Sequence, residues 1–206
     1  MAKGKFIVFE GGEFVGKSSQ LKVLASRLEE KGMRVCATKE PGGTPQGLEL
    51  RARLLAGGLA PEKEAALFME DRRIHVAEVL RPALERGEIV LCDRFSDSTI
   101  AYQHFGRGLD RAWLEEEDMC ARDGLEPDLV ILLNMRPEDS FKRAAGRGEE
   151  FTSFEREGAT FHERVRKGFL TLARENGYNH VIVNGSLPKP DVSEKIWHFV
   201  EKNILL

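Results

Sequence analysis

Hydrophobic residues along this chain come in two rhythms. Five short unbroken runs are rich in branched or aromatic side chains: residues 5–10 (KFIVFE), 33–38 (MRVCAT), 88–93 (EIVLCD), 128–134 (DLVILLN) and 180–185 (HVIVNG). Such runs predict strands covered on both faces. Between them apolar residues recur at helical spacing. Residues 17–31 carry Leu21, Leu24, Ala25 and Leu28 on one face and end at Gly32. Further helices are expected over 48–56, 61–86, 98–103, 111–123, from Pro137, and over 161–175 and 192–202, with Pro82 kinking or restarting the long second one. Turn residues make 41–47 (PGGTPQG) a loop, and 146–158 reads as a charged, mobile surface segment. The alternation implies one α/β domain over 1–206, with a five-stranded parallel sheet between helical layers and ligands outside the carboxyl ends of its strands.

Composition narrows the function. With 206 residues the chain supports one sizeable core, and its net charge of -3 offers no basic footprint for nucleic acid. Cys36, Cys92 and Cys120 are scattered, so neither a disulfide framework nor a zinc site is suggested; Cys36 and Cys92 fall in strand runs, as core thiols do. The first residues lack the apolar stretch of a signal peptide, and no run approaches the ~20 apolar residues of a membrane span. The cytoplasm is the expected compartment, with neither membrane nor nucleic acid as a partner.

The strand at 5–10 runs straight into FEGGEFVGKSSQ, where Gly11, Gly16, Lys17 and Ser18 satisfy G-x-x-x-x-G-K-[ST]. Glycines let successive N–H groups turn toward phosphate oxygens, the following helix adds its partial positive end, Lys17 reaches the β- and γ-phosphates, and Ser18 offers a hydroxyl to magnesium. The pattern alone is also met in chance Gly-rich turns; the strand before it and the helix after it are the confirming context. The fold expected is therefore of the P-loop NTPase type, with Gly11, Gly12, Glu13, Phe14, Val15, Gly16, Lys17, Ser18 and Ser19 around ATP. Glu13 is costly inside a polyphosphate site unless it faces a cation, magnesium or a substrate hydroxyl.

The whole chain resembles bacterial thymidylate kinase. The resemblance rests on FEGGEFVGKSSQ, on KEPGGT (39–44), DRFSDSTIAYQ (93–103), GRG (106–108) and PDLVILL (127–133), in this order and spacing. It implies transfer of the γ-phosphoryl of ATP to dTMP with Mg2+, in a homodimer, as a step toward dTTP. It further implies that Phe68 stacks on thymine with Arg72 on the base carbonyl, although a lone helical Phe is more often core. Arg94, helped by Arg51 or the nearby Arg53, would hold the dTMP phosphate, and a guanidinium fork suits that dianion. Asp93 would sit beside the metal, with Ser18 and Glu13 as further candidates. Ser98, Thr99 and Gln103 offer polar groups for the base edge, Tyr102 an aromatic wall by the sugar, and Lys39 and Pro41 the monophosphate side; Ser98 could equally cap a helix and Tyr102 simply pack.

Several positions depart from that family's pattern. Phe14 stands where glycine is usual, so a left-handed backbone there would be strained unless the ring points out of the loop. Ser18-Ser19 replaces Thr-Thr, Lys39 an arginine, and Asn134 an aspartate. Val15 removes the loop arginine of one subgroup, which shifts the catalytic charge to a lid over 143–158, from Arg143, Arg147 or Arg156. The lid motif Asp-Arg-Phe-Glu appears here as Thr152-Ser153-Phe154-Glu155. These departures keep two alternatives open: a kinase of another monophosphate or deoxynucleoside, and a catalytically weakened nucleotide-binding homologue.

Overall fold

In the computed structural model, which describes residues 4–145 and 151–205, the five expected strands form a single parallel sheet. They are β1 (Lys5–Glu10), β2 (Val35–Lys39), β3 (Ile89–Asp93), β4 (Leu129–Asn134) and β5 (His180–Asn184), in the order β2-β3-β1-β4-β5. The central strand β1 pairs with β3 through Ile7↔Leu91 and with β4 through Val8↔Val130. Side chains alternate across a strand, and here both faces are covered. Ile7 and Phe9 join Leu91 and Ile131 under α1 (Lys17–Glu30) and α9 (Lys189–Val200). Phe6 and Val8 join Val90 and Cys92 beneath Val76, Leu80 and Ala83 on the opposite face. That is why the runs are apolar without interruption. Cys92 is buried, Cys36 half-buried and Cys120 exposed, and all are free thiols.

The helices follow the sequence with local corrections. The stretch expected to be all loop already contains the start of α2 (Pro45–Ala56): Thr44 caps it by accepting from the Gly47 N–H at 2.9 Å, and Pro45 takes the first turn. The long helix over 61–86 is three pieces: α3 (Pro61–His75), a π turn over Val76–Leu80, and α4 (Arg81–Glu85). Pro82 has no N–H to give, and the helix widens just before it. α5 (Ser96–Thr99) likewise opens into a π segment over Ile100–Gly106, longer than expected. α6 (Arg111–Ala121), α7 (Pro137–Ala144) and α8 (Ala159–Glu175) lie as read, and α9 starts earlier than expected, at Lys189, and passes into a last π turn over Glu201–Leu205. Among the described residues no helix is long and apolar enough to cross a membrane.

All parallel strands point their carboxyl ends the same way. This places residues 11–16 after β1, 40–44 after β2 and 94–98 after β3 on one rim.

Candidate active site

The loop after β1 is folded by its glycines. Gly11 has φ +136 and lies so close to the Leu133 carbonyl that a Cβ would stand 2.5 Å from it; Gly16 has φ +103 and leads directly into α1. Only glycine adopts these angles without strain. Val15 turns its side chain into the core. Lys17 is buried, and its Nζ donates to the carbonyls of Gly11 at 3.0 Å and Gly12 at 2.7 Å. Burial and the nearby Arg94 lower its pKa. Ser18 Oγ donates to Asp93 Oδ2 at 2.5 Å, so the hydroxyl and carboxylate expected at the metal are side by side. A pair of hard oxygen ligands that leaves the rest of the shell to phosphate and water is what Mg2+ takes, and among the described residues no cluster of three or more His, Cys, Asp or Glu competes for a metal. Glu13 is not on that pair.

Glu13 belongs to a second group, built around Arg94. Arg94 follows β3 with φ 76, a rare angle for arginine. Its Nη1 donates to Gly11 O and to Ser98 Oγ, both at 3.1 Å, and its Nη2 to Glu13 Oε1 at 2.8 Å and to Tyr102 Oη at 3.2 Å. Tyr102 Oη in turn donates to Glu13 at 2.6 Å. Burial pushes the Glu13 carboxyl up, but Arg94, Lys17 and Tyr102 together outweigh it and hold the pKa at about 2. Glu13 is therefore an ionised anchor for Arg94.

Two cavities meet at these residues. One lies over the phosphate loop, lined by Phe14, Gly16, Lys17, Ser18, Ser19, Lys39 and Asp93. The other is lined by Pro41, Leu55, Phe68, Arg72, Ser98, Thr99, Tyr102, Gln103, Thr152 and Phe154. Glu13, Glu40, Arg51, Arg94 and Glu155 line both. Arg51 donates to Pro41 O at 3.1 Å, whereas Arg53 is exposed and lines neither cavity. Phe68 is half-buried with its ring 5.8 Å from that of Phe154. Arg72 is fully buried: Nε reaches Glu40 at 2.9 Å, Nη1 reaches Thr99 at 2.9 Å, and Asp118 closes the pair from α6. His75 joins Glu40 from the other side at 2.9 Å. Gln103 donates to Glu64 at 3.0 Å. Thr99, Gln103 and Ser98 thus spend hydrogen bonds on holding charged neighbours as well as facing the cavity. Ser98 caps no helix.

The lid residues are placed differently from the sequence reading. Arg143 donates to the carbonyls of Gly185 at 2.8 Å and Ser186 at 3.1 Å, and lines neither cavity. Arg147 lies outside the described residues, and Arg156 is exposed. Thr152-Ser153-Phe154-Glu155 is not a solvated stretch. The Thr152 N–H donates to Glu155 at 2.6 Å, Ser153 bonds the carbonyls of Leu54 and Leu55 at the end of α2, and Phe154 is buried against Phe68 and Tyr102. Arg107, from the GRG motif, pairs with Glu64 and Glu157 and lies over the rings of Phe154 and Phe161. Glu10, Glu40, Arg107 and Glu155 were given no role in the sequence reading; the visible signal for Glu10 and Glu40 was only that each stands at a strand end, before a glycine and a proline respectively.

Phe14 resolves both ways at once. Its φ is 58, so the left-handed backbone is real, and its ring packs edge-on against Phe141 of α7 at 5.1 Å and against Phe151 at 5.9 Å. Phe14→Ala keeps the strained angle and loses the rings, and is expected to cost about 2 kcal/mol in denaturant unfolding, whereas Phe14→Gly recovers about 1 kcal/mol of that. Alanine more stable than glycine would show that the angle carries no cost here.

Comparison with known proteins places this geometry. A family model described as Thymidylate kinase matches residues 9–196. The thymidylate kinase of Thermomicrobium roseum is 46% identical over 193 residues, covering 93% of this chain and 92% of that one. That of Desulfovibrio desulfuricans is 45% identical over 196 residues, covering 91% and 90%. Among solved structures, the crystal structure of thymidylate kinase from Ehrlichia chaffeensis aligns with a TM-score of 0.81 at 29% identity, covering 97% of this chain and all of that one.

Proposed function

The chain belongs to the thymidylate kinase family, and we propose that it transfers the γ-phosphoryl group of ATP to the phosphate of dTMP across the wall that its two cavities share. That shared wall carries the reading: Glu13, Arg51 and Arg94 border both the phosphate loop and the aromatic chamber. Phosphoryl transfer asks the protein for alignment and for cations around a spreading negative charge. Lys17 exchanges the Gly11 and Gly12 carbonyls for β- and γ-phosphate oxygens. Arg94 and Arg51 take the acceptor phosphate, with Glu13 and Tyr102 fixing the fork. Lys39 adds positive charge to the rim of the donor cavity. Phe68 stacks on the base under the Phe154 cover, Arg72 meets a base carbonyl, and Pro41 and Tyr102 border the sugar.

Ser18 and Asp93 would hold Mg2+, which would neutralise phosphate charge and align the γ-phosphoryl group. The same reading makes the enzyme a cytoplasmic homodimer; the support for both is family resemblance. ADP production from MgATP with dTMP, dUMP, dGMP and AMP compared is the test. The expected result is turnover strongly favouring dTMP. ATP binding without turnover of any acceptor would overturn the kinase reading, and equal turnover of all four would overturn the acceptor assignment.

A further inference from the structure

Arg94 is aimed by a residue that touches neither cavity. Glu10, the last residue of β1, is buried, with its side chain under the segment that follows β3. Its Oε1 accepts the N–H groups of Phe95 at 2.8 Å and Ser98 at 3.1 Å, and its Oε2 accepts the Ser98 hydroxyl at 2.6 Å. Ser98 Oγ is at the same time an acceptor for Arg94 Nη1. The geometry points to Glu10 as the positioning residue for the acceptor-phosphate arginine, working in its ionised form through Ser98. This rests on the reading of Arg94 as the group that takes the acceptor phosphate.

The protonation state matters because of donor counting. Oε1 faces two N–H donors and has no room for a proton, so a proton on Glu10 goes to Oε2. Oε2 then donates to Ser98 Oγ, and the Ser98 hydrogen loses its acceptor. Ser98 Oγ keeps a lone pair for Arg94 but is no longer polarised by a carboxylate, so the relay that aims Arg94 is weakened.

Charged groups surround the carboxyl. Asp97 of α5 stands on its far side, paired with His180 of β5 at 2.9 Å. Arg94 and Lys17 stand on the cleft side, with the buried Cys92 thiol close by. Across the polar groove behind Glu10, Asp118 and Arg122 of α6 pair with each other at 3.0 Å. Burial first and Asp97 second raise the carboxyl pKa to about 7, against the Ser98 hydroxyl, Arg94 and the Phe95 N–H. The sign follows: the working, ionised form is lost as the pH falls through that value.

The test is kcat/KM for dTMP between pH 5.5 and 9 at saturating MgATP. Wild type is expected to show an acidic limb near pH 7. Glu10→Gln donates to Ser98 at every pH, so it is expected to lose about tenfold at high pH and to lack that limb. The ionisation of dTMP itself, with a phosphate pKa of about 6, remains in all variants. Asp97→Asn, which touches neither cavity, is expected to keep the alkaline plateau and move the limb to lower pH, because the Asp97 charge is one of the two causes that raise Glu10. An unmoved limb in Asp97→Asn, or a Glu10→Gln enzyme with the wild-type profile, overturns the inference. Should Glu10→Gln fail to fold, the Asp97→Asn profile decides alone. No turnover of dTMP by wild type would instead overturn the functional reading on which the inference rests.

Discussion

Lys17→Met is expected to lower kcat at saturating ATP and dTMP by roughly 10³, with KM for ATP rising by tenfold or less. Lys17 is buried at the floor of the donor cavity, on the carbonyls of Gly11 and Gly12. These are neutral acceptors that a phosphate oxygen outcompetes, because it adds the attraction between opposite charges to the hydrogen bond. Methionine keeps the bulk of the stem and deletes only the charge and its donors. The loop amides and the α1 terminus still bind ground-state phosphate, so the loss concentrates where charge spreads in the transition state. The position of the other cations sets the size of the effect. Arg143 is spent on the carbonyls of Gly185 and Ser186, Arg156 is exposed, and Arg107 is committed to Glu64 and Glu157. With Val15 in the core, Lys17 supplies the buried positive charge of the donor cavity, and Arg51 and Arg94 supply that of the shared wall. Steady-state ADP release checks the prediction, and a fall of less than tenfold would remove Lys17 from the transfer.

The parts of this site that were legible in the sequence are those with local chemistry. Gly11, Gly16, Lys17 and Ser18 act through backbone angles and a helix start, and both are written into adjacent residues. Asp93 and Arg94 were legible because a strand end places them on the rim. The strands were readable from their apolar runs: β1, β3 and β4 are buried on both faces, and the edge strands β2 and β5 keep branched residues although they are more exposed. What stayed hidden depends on pairing between distant segments. Nothing near Glu10 in the chain reveals that it meets Phe95 and Ser98, and nothing near Arg107 reveals Glu64 and Glu157. Thr152 and Ser153 read as a lost cation; the fold uses them instead to fasten Phe154 over Phe68 through the end of α2. Phe14 read as a strained angle or as an outward ring, and it is a strained angle held by an aromatic cluster. The π turns before Pro82 and after Thr99 have no periodic signature, since one extra residue per turn only blurs the helical rhythm.

Arg94→Ala is expected to lower kcat/KM for dTMP by roughly 10³, the worth of two charge-assisted bonds at about 1.5–3 kcal/mol each. Arg94→Lys is expected to recover tenfold at most, since an ammonium cannot fork across two oxygens. Arg94 also neutralises Glu13, the carboxyl held at about 2 because this guanidinium, Lys17 and Tyr102 together outweigh burial. Removing the arginine leaves that half-buried carboxylate without its guanidinium partner, held only by Tyr102 and the nearby Lys17, beside the site of an incoming dianion, so part of the loss in Arg94→Ala is repulsion from Glu13 rather than absence of Arg94. Glu13→Gln removes the repulsion. The two substitutions together should therefore cost clearly less than the sum of their separate effects, with a coupling on the order of 1 kcal/mol or more. A double variant whose losses simply add would mean that Glu13 and Arg94 act on different parts of the reaction, and the carboxylate in the phosphate loop would then have to be assigned to the donor side after all.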